Sequence, residues 1–287
     1  MNNYNQLSFL ALIILVFGSL VSVISGVRFD DNYNVIWGGD HVRFLNQEQV
    51  QLTLDRNSGG AGFGSKLTYG SGFFHMKIKV PNKNSAGVIT TFYLISESGG
   101  NRDELDFEFL GNNDNKPITL QTNVYTNGQG YREQRVLLWF DPTADFHNYK
   151  ILWNQHQVVF YVDETPIRVF KNNTNIGVMY PKQPMQVQAT IWSATWASPT
   201  PIDWSYAPFL AYYQDFNIGG CPLQSGNYEI CYSNKYWWNQ EKYWKLTHKQ
   251  QRLYDKVRRE HMNYDYCDDR GRYPTPPPEC APNRNGQ

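Results

Sequence analysis

The chain has 287 residues, 16% of them aromatic, and its 26 Lys and Arg balance 26 Asp and Glu. Neutrality removes the basic excess that nucleic-acid binding leaves on a sequence, so no nucleic-acid partner is expected. The aromatic content excludes a disordered chain, and the length allows one large all-β domain or two smaller ones.

Residues 7–24 (LSFLALIILVFGSLVSVI) carry no charge and lead into the small residues Ser25 and Gly26. This is the apolar stretch and cleavage pattern of a secretory signal, placed here at residues 1–25. The run is also nearly long enough to span a bilayer, and an uncleaved anchor is the alternative. Either way the remainder is exported, and with the signal removed no stable membrane association is expected.

From about residue 34 to 218, short alternating or apolar runs are broken by Gly, Asn and Pro. Strands are predicted at 72–80, 87–95, 104–110, 118–125, 135–140, 149–153, 157–163, 167–170 and 185–192. Strands at this spacing without intervening helical patterns indicate an all-β sandwich or barrel, assigned to residues 26–220.

The remainder, residues 221–287, differs. All four cysteines lie there: Cys221, Cys231, Cys267 and Cys280. An even number in an exported chain suggests two disulfides. Four cysteines allow three pairings, and closing the two short loops is the simplest. No pair has zinc-ligand spacing, and no metal is expected. Thr247-His248-Lys249-Gln250 fits a capping box, and Leu246, Leu253 and Val257 give a short helical stripe. Residues 235–261 hold eight Lys or Arg against three acids. A solvated amphipathic helix packed on the sandwich explains this; a basic surface contacting an acidic polymer is the alternative. Residues 274–280 (PTPPPEC) read as a stiff extended segment, and the tail APNRNGQ as disordered. One glycosylation sequon is present at Asn172.

The most informative segment is Asp103-Glu104-Leu105-Asp106-Phe107-Glu108-Phe109. On a strand, Glu104, Asp106 and Glu108 share one face, and Leu105, Phe107 and Phe109 the other. Three carboxylates in a row repel one another, and ordinary solvent faces mix signs, so the pattern points to chemistry. Glycoside hydrolysis needs two carboxyl groups flanking the scissile bond, about 5 Å apart when configuration is retained. The central Asp106 can hydrogen-bond one glutamate and push the pKa values of the pair apart by like-charge coupling. A calcium site uses similar acids, but in an irregular loop with carbonyl ligands. A noncatalytic glycan-binding sandwich needs the aromatics but not the ordered acids.

DELDFEFLGN at 103–112 resembles the catalytic motif of glycoside hydrolase family 16. LQTNVY (120–125), YREQRVLLWFDPTADFHNYKILWN (131–154), VDETPIRVFKN (162–172), QPM (183–185), APF (207–209) and NYDYC (263–267) resemble its plant branch, the xyloglucan endotransglucosylase/hydrolases. The likeness runs from about residue 30 to 280. It implies a concanavalin-like jelly-roll sandwich with an open glucan cleft, Glu104 as nucleophile, Asp106 as helper and Glu108 as general acid/base. It also implies pairing of Cys221 with Cys231 and of Cys267 with Cys280. By motif position Gln121, Asn123, Tyr93, Arg135, Trp192 and Trp196 are donor-side contacts, and Tyr264 and Arg272 acceptor-side contacts. Arg132 is grouped with them, although Arg132 and Arg135 also read as ordinary strand-end charges.

Three features depart from the family. Arg102 stands where His is usual, and by parity it shares the face of Glu104, where its charge favours the ionised carboxylate. Asn112-Asn113-Asp114 cannot accept the glycan that often follows the catalytic strand. The loop after Trp196 is short. The expectation is a secreted, monomeric enzyme of the plant cell wall and apoplast that needs no cofactor. It cleaves a xyloglucan donor and passes the new end to a xyloglucan acceptor. A mainly hydrolytic xyloglucanase, or a catalytically impaired wall-glucan-binding protein, is the alternative.

Overall fold

Alternation between apolar and polar residues dictates a sheet with one buried face, and the computed structural model has fifteen strands among the described residues. It describes residues 26–97, 99–113, 116–223 and 227–284, so the signal segment predicted at 1–25 lies outside it. Before the carboxylate motif come β1 (Tyr33–Trp37), β2 (Val42–Asn46), β3 (Gln49–Leu54), β4 (Ala61–Lys79) and β5 (Val88–Ile95). The motif itself forms β6 (Glu104–Leu110). Then follow β7 (Thr119–Tyr125), β8 (Gln134–Leu137), β9 (His147–Trp153), β10 (Gln157–Val162), β11 (Thr165–Lys171), β12 (Met185–Ser193), β13 (Phe209–Gln214), β14 (Ile218–Pro222) and β15 (Met262–Asp265).

All pairings are antiparallel, and the 19-residue β4 belongs to both layers. Its first half pairs with β1 and β12, and from β12 the sheet continues through β5, β6, β7 and β8 to β15. Its second half pairs with β9, which leads to β10 and β11, and on its other side with β13 and β14. Where β14 crosses, only glycine fits at position 72: a Cβ there would lie 2.7 Å from the Gly219 carbonyl oxygen and 2.5 Å from the Phe74 ring.

The two layers meet through aromatic side chains. Phe107 of β6 packs edge-on against Phe160 of β10 at 5.1 Å, and Phe109 against Tyr149 of β9 at 4.7 Å. Leu105, Phe107 and Phe109 are fully buried, so the carboxylate face of β6 is turned away from the core. This is the jelly-roll sandwich expected from the sequence.

The C-terminal part is built onto this frame. Cys221, taken as the start of the extension, lies inside β14, and β15 adds a strand to the β6 sheet beside β8. Helix α1 (Phe29–Asn32) precedes β1 and was not predicted. Helix α2 (His248–Glu260) starts with the predicted capping box: Thr247 Oγ1 accepts from the Gln250 N–H at 3.3 Å, and Gln250 Oε1 accepts from the Thr247 N–H at 2.9 Å. Its buried residues are Tyr254 and Val257, with Leu246 buried just before it and Leu253 only half-buried. The disulfides join Cys221 to Cys231 and Cys267 to Cys280.

Two expectations need correction. The strand predicted at 135–140 ends at Leu137, beyond which no partner strand continues the ladder. Of the tail predicted as disordered, residues 281–284 are helical within α3 (Cys280–Arg284), because the Asn283 Oδ1 accepts the Lys171 backbone N–H at 2.8 Å and anchors it; residues 285–287 lie outside the described residues. Among the described residues, no helix is long and apolar enough to cross a membrane.

Candidate active site

Register sets the site. Across β6, Glu104 faces Ile95 and Tyr125, Asp106 faces Tyr93 and Asn123, and Glu108 faces Thr91 and Gln121. Because side chains repeat every two residues, all of these lie on the outer face of the sheet. They open into a cleft of about 630 Å³ lined by Trp37, Tyr93, Arg102, Glu104, Asp106, Glu108, Thr190 and Trp192, among others.

The three acids differ in surroundings. Glu104 accepts a hydrogen bond from Arg102 Nε, whose guanidinium lies 4.6 Å over the Tyr125 ring. Asp106 is buried, and that burial, with the charges of Glu104 and Glu108 beside it, drives its carboxyl well above the usual range. A protonated Asp106 donates to the Glu104 carboxylate, which raises it further. Glu108 is pushed up to about 7, chiefly by burial, with Gln121 opposing, Glu104 and Glu133 reinforcing and Arg135 opposing.

A relay of side chains fixes Glu108. Gln121 Nε2 donates to Glu108 Oε2 at 2.6 Å, and Arg135 Nε donates to Gln121 Oε1 at 2.7 Å. The arginine therefore dictates which end of the amide faces the acid. Arg135 also stacks 5.2 Å from the Tyr264 ring, whose hydroxyl donates to Asp269 at 2.8 Å. Arg272 pairs with Glu133 and lies 5.6 Å over Tyr131, an exposed residue held in the left-handed region at φ 60°. Arg135, Tyr264 and Arg272 thus form one string along the β8–β15 edge.

At the other end of the cleft, Tyr93 donates its hydroxyl to Gln188 Oε1 at 2.6 Å. Trp192 meets Trp196 edge-on at 6.2 Å, and Trp196 is 54% exposed. Asn123 is buried, and its Oδ1 accepts the backbone N–H groups of Val124 and Arg132 at 2.9 and 3.1 Å. Only its amide N–H groups remain for another partner.

Arg132 does not join the cleft. It is buried, and its guanidinium is committed to Glu279 at 2.9 Å and to the carbonyls of Gln129 and Val124. It ties the C-terminal tail to the β7–β8 loop, a structural role that replaces the predicted sugar contact. At Asn172, Thr174 Oγ1 donates to Asn172 Oδ1 at 2.8 Å in a part-exposed turn. Among the described residues, no group of three or more His, Cys, Asp or Glu is placed to hold a metal ion.

Sequence reasoning missed Trp37 and Thr190 in the lining. Strand parity alone would have placed Thr190 with Trp192, but β1 gave no alternation to flag Trp37.

Residues 29–206 match the model of glycosyl hydrolases family 16, and residues 232–280 that of the xyloglucan endo-transglycosylase C-terminus. The chain is 53% identical over 261 residues to xyloglucan endotransglucosylase/hydrolase protein 3 of Arabidopsis thaliana, spanning 88% of this chain and 89% of the relative. It is 54% identical over 265 residues to protein 2 of the same series and plant, spanning 90% of each. In fold it matches the β-glucanase of Bacillus licheniformis with a TM-score of 0.53 at 24% identity, over 64% of this chain and 89% of that one. Carboxylates in register across an open cleft, on a chain covered by both family models, make it a glycosidase-type enzyme, and it belongs to the xyloglucan endotransglucosylase/hydrolase family of glycosyl hydrolases family 16.

Proposed function

We propose that the protein is a secreted enzyme of the plant cell wall and apoplast that cleaves the β-1,4-glucan backbone of xyloglucan and transfers the new end to a second xyloglucan chain with retention of configuration. The observation that carries this reading is the different surroundings of two glutamates on one strand face. Glu104 is bonded to Arg102, whereas Glu108 is buried and pushed up to about 7. An ionised nucleophile beside a protonated acid is what the first step of a retaining mechanism requires.

In that step Glu104 attacks the anomeric carbon and the glycosidic oxygen leaves with the proton of Glu108. In the second, an acceptor hydroxyl attacks the same carbon, gives its proton to Glu108, and Glu104 departs as the carboxylate. Water and acceptor compete for one intermediate, and acceptor-side binding decides between them. The string Arg135–Tyr264–Arg272 supplies rings and guanidinium edges suited to the faces and hydroxyls of a sugar chain.

The test incubates purified protein with xyloglucan and a fluorescent xyloglucan oligosaccharide, with reducing ends counted in parallel. Label entering polymer without new reducing ends is expected, and Glu104→Ala should abolish it in a folded protein. New reducing ends with little label transfer would make the enzyme a hydrolase. Absence of both signals would overturn the catalytic reading.

A further inference from the structure

The cation beside Glu104 is built in from several directions. Arg102 precedes the strand by two residues and therefore shares its outer face. Its backbone N–H donates to the Gly99 carbonyl at 3.3 Å, and its carbonyl accepts from the Gly128 N–H at 2.7 Å, so two loops hold its main chain. Gly128 has φ 78°, and a Cβ there would lie 1.9 Å from the Gly100 carbonyl oxygen, so this contact depends on glycine. Its guanidinium then spans the Tyr125 ring at 4.6 Å and donates through Nε to Glu104 Oε2. The groups facing Glu104 are Asp106 and Glu108 on β6, Tyr93 on β5 and Tyr125 on β7, and Arg102 supplies the positive charge among them.

We infer that Arg102 is a positioning residue that acts through Glu104, making it the better leaving group when the glycosyl-enzyme breaks down. This rests on the reading of Glu104 as nucleophile. The reasoning follows the charge. A carboxylate nucleophile carries a full negative charge before it attacks, part of it in each transition state, and none in the ester. A cation fixed on Oε2 stabilises these states in that order. In the first step the glycosidic C–O bond breaks, the ester C–O bond forms, and the leaving oxygen takes the proton of Glu108. There the cation holds back the nucleophile. In the second step the ester C–O bond breaks, its electron pair returns to Glu104, and the acceptor hydroxyl's proton passes to Glu108. There the cation draws the carboxylate away. Arg102 therefore shortens the lifetime of the intermediate. The partition between acceptor and water is untouched, because both displace the same leaving group.

The test uses the full-length secreted protein with Arg102→Gln and Arg102→Lys, and a xyloglucan oligosaccharide donor. Rapid acid quench and intact-protein mass spectrometry give the glycosylated fraction, and peptide mapping gives the site. For Arg102→Gln the glycosylated fraction should rise several-fold at Glu104. Both kcat and KM should fall in parallel, leaving kcat/KM within about threefold of wild type. Arg102→Lys, which keeps the charge, should lie between. Tyr125→Leu, which removes the ring under the guanidinium, should shift all three quantities in the same direction by less, and it decides the matter should Arg102→Gln not fold. A fall in kcat/KM without ester accumulation, with label on Glu104, would overturn the proposal and leave the nucleophile in place. Label on a carboxylate other than Glu104 would overturn both.

Discussion

Replacing Gln121 by Leu removes the one side chain among the described residues that donates to Glu108, at 2.6 Å. Hydrogen bonds to charged groups are worth about 1.5–3 kcal/mol, and one pKa unit corresponds to about 1.4 kcal/mol. Losing the bond therefore withdraws ~1–2 units of support for the ionised form of Glu108. The direction is fixed. Gln121 lowers this carboxyl against a burial effect that raises it to about 7, so without Gln121 it rises further. On the proposed mechanism Glu108 is protonated when it releases the first product, so activity should be lost as pH climbs through this value. The alkaline limb of kcat/KM, expected near 7 in the wild type, should move up by ~1–2 pH units in Gln121→Leu. Absolute activity will drop, because Gln121 also fixes the Glu108 side chain, but the position of the limb is independent of its height. The assay is label transfer at low substrate from pH 5 to about 10. A limb that stays put or moves down would refute the relay, and would mean that the Arg135 charge holds Glu108 without the amide between them.

Two further perturbations follow from the buried charges. Glu279→Ala strands Arg132, whose side chain is only 11% exposed, and should cost about 3 kcal/mol. That corresponds to roughly 6–12 °C in Tm for a chain of this size. Arg132→Met with Glu279→Leu should recover most of the loss, and thermal melts of the three variants with disulfides intact would check it. Asp106→Asn should lower activity yet stabilise the protein. Because the folded carboxyl of Asp106 lies well above its ordinary value, its contribution to stability is lost as pH rises from about 4. A higher Tm by a few degrees above about pH 5, vanishing near pH 3, is the expected calorimetric result, and an unchanged Tm at neutral pH would contradict it.

Strand β6 was legible because its two faces could not be confused. Leu105, Phe107 and Phe109 alternate with three acids, and both halves of that pattern are found where parity puts them. The disulfide pairing was open in the cysteine spacing and came with the family likeness. What the residues hid is equally physical. In β4, AGFGSKLTYGSGFFHMKIK, glycines stand where alternation would show, because this strand is shared between two layers and approached closely by β14. Its first half was therefore not read as a strand. Arg132 looks like any strand-end cation, and its pairing with Glu279, 147 residues away, could not be read from its neighbours in sequence. β15 is four residues long, and its place beside β8 depends on a tertiary contact that no local pattern encodes.

A row of three carboxyl groups costs stability, and the strand tolerates it because the same residues that oppose one another also set the register. Sliding β6 by one residue would carry Glu104, Asp106 and Glu108 into the aromatic core and bring Leu105, Phe107 and Phe109 to water. The edge-on contacts of Phe107 with Phe160 and of Phe109 with Tyr149 would be lost together. Burying even one unpaired carboxylate costs several kcal/mol, so the slipped register lies far above the native one. The acids thus act against their own misplacement. Their mutual repulsion remains in the native register, where burial and neighbouring charge hold the protons of Asp106 and Glu108 and Arg102 offsets the charge on Glu104. Burial, reinforced by the neighbouring charges, is what raises Asp106 and Glu108, and on the proposed reading that is what lets one strand carry both a nucleophile and an acid.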